Sequence, residues 1–323
     1  MRLRLVPEET HYNFFKYRWI TFGASGVAMV ASLILWLTMG LNFGIDFRGG
    51  TTIRTQSEQA VDVGAYRDAL APLGLGDVVI SEVFDASFAQ DQHVAMIRIQ
   101  AQDDQEAVAA DTVAKVEGAL QGVDATIKFT SVESVGPKVS GELIQTAFLA
   151  VGAALAAILL YIWLRFEWQF ALGAVFALFH DVLVTIGIFS LLQIRFDLTT
   201  IAALLTIIGY SINDTVVIFD RLRENLRKFK TMALIDVMNL SVNETLSRTV
   251  MTSGTTLIAL IALLVLGGDV IRSFVFAITW GVVVGTYSSV YVAKNVVLWL
   301  GVKRDWTKKP GGGAGTKFAN IDA

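Results

Sequence analysis

The stretch GYSINDTVVIFDRLREN, residues 209–225, sets a carboxylate, Asp214, in an apolar run that becomes charged only from Asp220 onward. An ionised carboxylate in lipid costs about 3 kcal/mol on insertion scales, and more in simulations. Something must offset that cost. Burial and a nearby cation pull a carboxylate's pKa in opposite senses. Such a group changes protonation when a conformational change alters the cation's distance or the access of water, which is the logic of a proton relay. A membrane potential supplies about 2.3 kcal/mol per charge per 100 mV, enough to drive a mechanical cycle if several protons pass.

The next apolar run opens near Arg248. With the fourth run ending near residue 219, Asp214 lies about 8 Å inside it at about 1.5 Å per residue. If the basic segment between the two runs folds as a helical hairpin beyond the membrane, antiparallel neighbours carry Asp214 and Arg248 to comparable depth. A pair across the two helices would offset both desolvation costs. The alternative is that Arg248 snorkels to the headgroups as an ordinary flanking charge. Spacing does not choose between them. His180 and Asp181, in ALFHDVLVTIG, form a second polar point near the middle of the third run. Consecutive helix positions differ by about 100°, so the two are not expected to face the same neighbour directly. Asp181 either lines the interior that Asp214 faces, or the two residues tie helices together; the structural role is the favoured reading.

Other chemistry is excluded by residue type. There are no cysteines, hence no disulfide, no thiolate nucleophile and no cysteine-ligated metal. The three histidines, His11, His93 and His180, are too dispersed for a metal site. No nucleophile elbow, metal-ligand cluster or phosphate loop is present. The expectation is a non-enzymatic protein with no cofactor, no metal and no nucleic-acid partner.

The elements that position these residues follow from composition. Of 323 residues, 54% are hydrophobic and 17% charged, and mean hydropathy is +0.57. That balance calls for an integral membrane protein. Apolar runs long enough to cross a bilayer occur at 19–39, 142–164, 169–192, 198–219, 247–267 and 272–300. The first has too long a core for a cleaved leader and no small-residue cleavage site, so a retained anchor is expected. With six spans, the basic flanks fall on one side: residues 1–18, the loop holding Arg221, Arg223, Arg227, Lys228 and Lys230, and the tail from 301 to 323. That side is expected to be the cytoplasm.

The long loop 41–140 is then extracytoplasmic. Its pattern predicts strand 51–56, helix 61–71, strands 77–85 and 93–100, helix 103–121 and strand 125–135. This βαββαβ order is that of a ferredoxin-like split βαβ unit. The fold class is therefore a polytopic α-helical membrane protein with an α+β ferredoxin-like domain between its first two spans. The small residues of GVVVG (Gly281, Gly285) and RTVMTSGTT suit close packing within the chain. The glycine-rich tail has no periodicity and reads as a flexible end.

Four segments, GLNFGIDFRGG, VGPKVSGEL, GYSINDTVVIFDRLREN and TLSRTVMTSGTT, closely resemble the SecF family, the smaller membrane subunits of the bacterial SecD-SecF accessory complex. The resemblance covers nearly all of residues 12–300. It departs at Arg48, where a threonine is expected, and no role is assigned to that arginine. The resemblance implies half of a resistance-nodulation-division transporter in the bacterial inner membrane, with SecD as the other half. Expected partners are SecD, the SecYEG channel, other Sec accessory subunits, unfolded preproteins and membrane lipid. The implied function is to use the proton-motive force in preprotein translocation, with Asp214 and Arg248 as the proton-pathway residues. A carboxylate also serves sodium, so the sequence leaves the coupling ion open. It leaves two other readings: a translocon scaffold without ion coupling, or half of a small-molecule or lipid exporter.

Overall fold

The computed structural model describes residues 10–76, 78–83, 88–89, 91–100 and 110–302. The expected helix start at 103–109, strand ends at 77 and 84–85, and the tail from 303 lie outside them. Helix α1 (Arg18–Met39) leads through β1 (Asn42–Phe43) and the one-turn α2 (Ile45–Arg48) into an α/β domain. Gly49 and Gly50 make the entry turn at φ +71° and +125°, a region where a side chain is strained.

The domain runs β2 (Gly50–Ser57), α3 (Val63–Leu70), β3 (Val78–Val83), β4 (His93–Ile99), α4 (Ala110–Gln121) and β5 (Lys128–Val135). The sheet order is β3-β4-β2-β5, with every pairing antiparallel. Two boundaries differ from the sequence pattern. Helix α3 starts at Val63 because Asp62 caps it, accepting from the Ala65 N–H at 3.0 Å. Strand β5 starts at Lys128 because the Asp124 carboxylate accepts from both Thr126 N and Thr126 Oγ1 at 2.8 Å, holding residues 124–127 in a turn. One sheet face, including Ile53, Ala95, Ile97 and Ile99, packs on Val116 and Leu120 of α4. The other face of β4 carries Val94, Met96 and Arg98, as strand alternation requires, and packs with Val83 in a small separate cluster.

The chain returns to the bilayer through α5 (Pro137–Arg165), α6 (Trp168–Leu192), β6 (Arg195–Phe196), α7 (Leu198–Lys228), α8 (Leu234–Leu266) and α9 (Asp269–Ser288). A π turn at Ser289–Ala293 passes α9 into α10 (Lys294–Leu300). Among the described residues, six helical stretches are long and apolar enough to cross a membrane, at the six expected places. Helices α7 and α8 continue past the apolar runs and form the expected hairpin, joined by residues 229–233. Strands β1 and β6 pair in parallel, Asn42 with Arg195 and Phe43 with Phe196. Asp46 of α2 accepts from Leu198 N at 3.0 Å while Asp197 closes a capping box with Thr200. The domain's stalk is thus fixed to the start of α7.

Helices α6, α7 and α9 form the interior, and α1, α5 and α8 present apolar faces outward. Small residues set the closest approaches. Gly281 and Gly285 of α9 face Ile207 and Ser211 of α7, so the GVVVG segment does pack within the chain. At Gly187 of α6, an added Cβ would collide with the Ser32 side chain and come within 2.7 Å of Ser32 Cα on α1. Backbone cannot yield as a side-chain tip can. Gly187→Ala is therefore expected to destabilise the α1–α6 contact by about 1–3 kcal/mol, read as a lower midpoint of unfolding by SDS in mixed micelles. Adding Ser32→Gly should restore part of the loss; no restoration would show that the strain lies elsewhere.

Candidate functional site

On α8 the side chains of Ser241, Val242, Thr245, Thr249 and Ser253 are buried. Their spacing of three to four residues makes one stripe, and it faces α7 and α9. On α7 the matching stripe holds Ser211, Asp214, Thr215 and Ile218. Asp214 is 6% exposed, and its Oδ1 accepts a hydrogen bond from Thr249 Oγ1 at 3.0 Å. Its Oδ2 is buried and has no hydrogen-bond partner among the described residues.

The direct Asp214–Arg248 pair that depth alone allowed does not form. The residue aimed at Asp214 is Thr249, and Arg248, about 100° away around the helix, is exposed. Arg248 is still the cation whose charge acts on Asp214. Its side chain lines a cavity of about 510 Å³, on the side of the bilayer away from the α/β domain, with Arg165, Asp220, Arg221, Glu224 and Glu244. The hairpin there is fixed by Arg221 Nε donating to Glu244 at 2.6 Å and by Asn225 donating to the same carboxylate at 2.6 Å.

The second polar point is more fully partnered. Asp181 is 0% exposed and accepts at Oδ2 from Ser211 Oγ of α7 at 2.6 Å and from Ser288 Oγ of α9 at 2.8 Å. Its Oδ1 lies 2.9 Å from His180 Nδ1. Contrary to the helical-wheel expectation, His180 and Asp181 meet one neighbour: the His180 ring lies 6.2 Å from that of Tyr287, next to Ser288 on α9. Helices packed this closely let two adjacent positions straddle two adjacent positions opposite.

Hydroxyls join the two carboxylate sites. Ser211 serves Asp181, Ser289 Oγ donates to the Ser211 carbonyl at 3.3 Å, and Ser289 is paired with Thr215, next to Asp214, at 2.7 Å. Ser288 and Ser289 enter this seam at the junction of α9 and the π turn, which shifts the helix register by one residue there. The arrangement is a polar seam across α6, α7, α8 and α9 with a carboxylate in each of two places, one saturated and one with an oxygen free.

Sequence reasoning did not single out Thr249, Ser211, Ser288 or Ser289, whose hydroxyls are ordinary in a membrane helix. It also passed over Lys294, where a signal existed: a lone lysine in the apolar run 272–300. Lys294 is 1% exposed, and its Nζ has no hydrogen-bond partner among the described residues. It lies 4.1 Å from the ring centroid of Phe15, 5.0 Å from Phe14 and 5.2 Å from Tyr291, so aromatic faces hold the charge. Residues 10–15 reach it because Asn243 Oδ1 accepts from Tyr12 N and Asn239 Oδ1 from Phe14 N, each at 2.8 Å, strapping the segment to α8.

Fold and site together define a multi-pass helical membrane protein with buried carboxylates on an internal polar seam and a folded α/β domain in its first loop. Two family models match it: the SecD/SecF GG motif at residues 34–61, and the protein export membrane protein SecD/SecF, C-terminal, at residues 115–303. The chain is 69% identical to the protein translocase subunit SecF of Cereibacter sphaeroides over 322 residues, covering 100% of this chain and 99% of that one. It is 41% identical to the SecF subunit of Vibrio alginolyticus over 95% of both chains. The chain belongs to the SecF family of protein translocase subunits.

Solved structures agree. The crystal structure of SecDF, a translocon-associated membrane protein from Thermus thermophilus, is similar over 93% of this chain at 35% identity and a TM-score of 0.82. A second SecDF structure, in a super-membrane-facing form, gives 37% identity and a TM-score of 0.66 over 92% of this chain. The chain covers 40% of each of those longer SecDF chains.

Proposed function

We propose that this chain is a non-enzymatic subunit that works with a SecD partner to convert an ion gradient into mechanical assistance for preproteins crossing the SecYEG channel. The observation that carries the reading is Asp214: a carboxylate in the interior of a membrane bundle, with one oxygen held by Thr249 and the other without a partner. A fully bonded carboxylate would be a helix tie. A half-bonded one has a lone pair in reserve for a proton, and Arg248, next in sequence to Thr249, brings a positive charge to the same turn of α8. Taking up a proton cancels the attraction to Arg248 and weakens the bond from Thr249. Both act on α8, so α7 and α8 shift relative to each other, and the stalk at Asp46 and Asp197 transmits the shift to the α/β domain.

In this reading the chain lies in the bacterial inner membrane with both termini cytoplasmic, as the basic flanks favour. Its extracytoplasmic domain is ferredoxin-like, in keeping with the element order and the sheet order β3-β4-β2-β5. That domain holds or supports the machinery that keeps an emerging chain from sliding back.

Inverted membrane vesicles test the reading. A preprotein is started with ATP, the motor is stopped partway, and a proton gradient is imposed. Completion should follow the gradient in vesicles that contain this chain with its partner, and fail in vesicles lacking it. Completion driven only by a sodium gradient would replace the ion, and completion indifferent to any gradient would leave the chain a scaffold.

A further inference from the structure

On the side facing the α/β domain stand Arg195, between α6 and α7, and Arg272, in the first turn of α9. The fold brings both to one place. They line a cavity of about 530 Å³ between the sheet and the ends of the membrane helices, and a third arginine, Arg98, enters it from the outward face of β4. A volume of that order accommodates a small ligand or a lipid headgroup.

Arg195 Nε donates to Asp197 at 3.2 Å, and Glu82 is the carboxylate on the cavity wall, with His93 3.9 Å from it. The Nε of Arg98 is buried and has no hydrogen-bond partner among the described residues. Burial, together with the nearby cations Arg195 and Arg48, holds the Arg98 guanidinium below its ordinary pKa range. Arg48, which had no role on the sequence alone, thus adds to the same positive field.

Three guanidinium groups converging on one cavity suit a tetrahedral anion better than a single carboxylate, because each planar fork offers parallel N–H donors to phosphate oxygens. Ile194, Leu264 and Phe276 give the cavity an apolar wall as well. It lies beside the outer end of α8, where Ile261, Val265 and Leu266 are exposed. Guanidinium groups and apolar side chains lining one cavity, at the level where the spans end, match the headgroup and the chains of a phospholipid.

We propose that this cavity binds the phosphate of an anionic phospholipid, with Arg98, Arg195 and Arg272 on the headgroup and the acyl chains lying along α8 and α9. The bound lipid would fix the sheet to the membrane helices at a second point, beside the stalk. Free inorganic phosphate shares the headgroup chemistry but gains nothing from the apolar wall.

Native mass spectrometry of the full chain, purified in neutral detergent alone and with its SecD partner, tests this. Phosphatidylglycerol is titrated against phosphatidylcholine, with inorganic phosphate as competitor. The wild type should retain phosphatidylglycerol over phosphatidylcholine, and inorganic phosphate should fail to displace it. Arg98→Gln and Arg272→Gln, made separately on two different elements, should each weaken phosphatidylglycerol retention about tenfold, while Arg67→Gln, on the exposed side of α3, should not. Unchanged circular dichroism and elution volume would separate lost lipid from lost fold. Equal retention of the two lipids, indifference to both cavity substitutions, or displacement by inorganic phosphate would each overturn the proposal. So would loss of phosphatidylglycerol when the partner binds, which would give the cavity to a partner's acidic segment.

Discussion

Asp214→Asn is expected to reduce gradient-driven completion of translocation in inverted vesicles to background, with the chain still assembled with its partner. Asparagine keeps an oxygen where Oδ1 accepts from Thr249 Oγ1 at 3.0 Å, so the α7–α8 contact has its hydrogen bond. It replaces Oδ2, the buried oxygen without a partner, by an amide that takes up no proton at physiological pH. The substitution therefore separates titration from packing. Asp214→Glu should recover a measurable part of the activity, since it restores the titrating group one methylene farther out. Wild-type completion by the asparagine variant would sink the relay, and dissociation of the complex would instead make Asp214 an assembly residue.

Asp181→Leu is expected to act on stability first. Three donors, Ser211 Oγ, Ser288 Oγ and His180 Nδ1, converge on this fully buried carboxylate. Interhelical hydrogen bonds in membrane proteins average about 0.6 kcal/mol, and bonds to a charged acceptor are roughly twice as strong as neutral ones. Removing the acceptor should therefore cost about 2–4 kcal/mol, below the sum that fully orphaned donors would suggest, because a serine can turn its hydroxyl to its own helix carbonyl. Ser288 Oγ already lies 3.1 Å from the Gly285 carbonyl. Asp181→Asn keeps an acceptor and should cost about 1 kcal/mol. SDS-unfolding midpoints distinguish the two; equal midpoints for Leu and wild type would show that Asp181 ties nothing together.

These two carboxylates look alike in the sequence, each an aspartate inside an apolar run, and the structure gives them different surroundings. Asp181 has partners on both of its oxygens, and Asp214 has one on a single oxygen. The distinction lies in which hydroxyls the neighbouring helices present. That depends on how α7, α8 and α9 rotate and on the π turn at Ser289–Ala293. Arg248 shows the same limit. Depth along the span follows from counting residues, and it placed Arg248 beside Asp214; direction around the helix gave the contact to Thr249.

What the sequence determined by itself was everything that depends on local pattern. Six apolar runs of bilayer length are, among the described residues, six helices long and apolar enough to cross a membrane, since lipid favours a backbone that satisfies its own hydrogen bonds. The alternation in HVAMIRI and the turn at Gly49 and Gly50 place the strands and their entry within a few residues. Four short segments carried the family resemblance, and the relatives bear out the membership. What only the tertiary structure decided was how residues far apart in the chain meet: Phe14 and Phe15 around Lys294, Asp46 on the start of α7, and three arginines, from β4, the α6–α7 connection and α9, around a single cavity. Hydropathy fixes how deep a residue lies in the bilayer. Rotation about the helix axis and the seating of the domain come from interlocking small residues such as Gly187 and Gly281 against specific partners, and no window of local sequence contains both sides of such a contact.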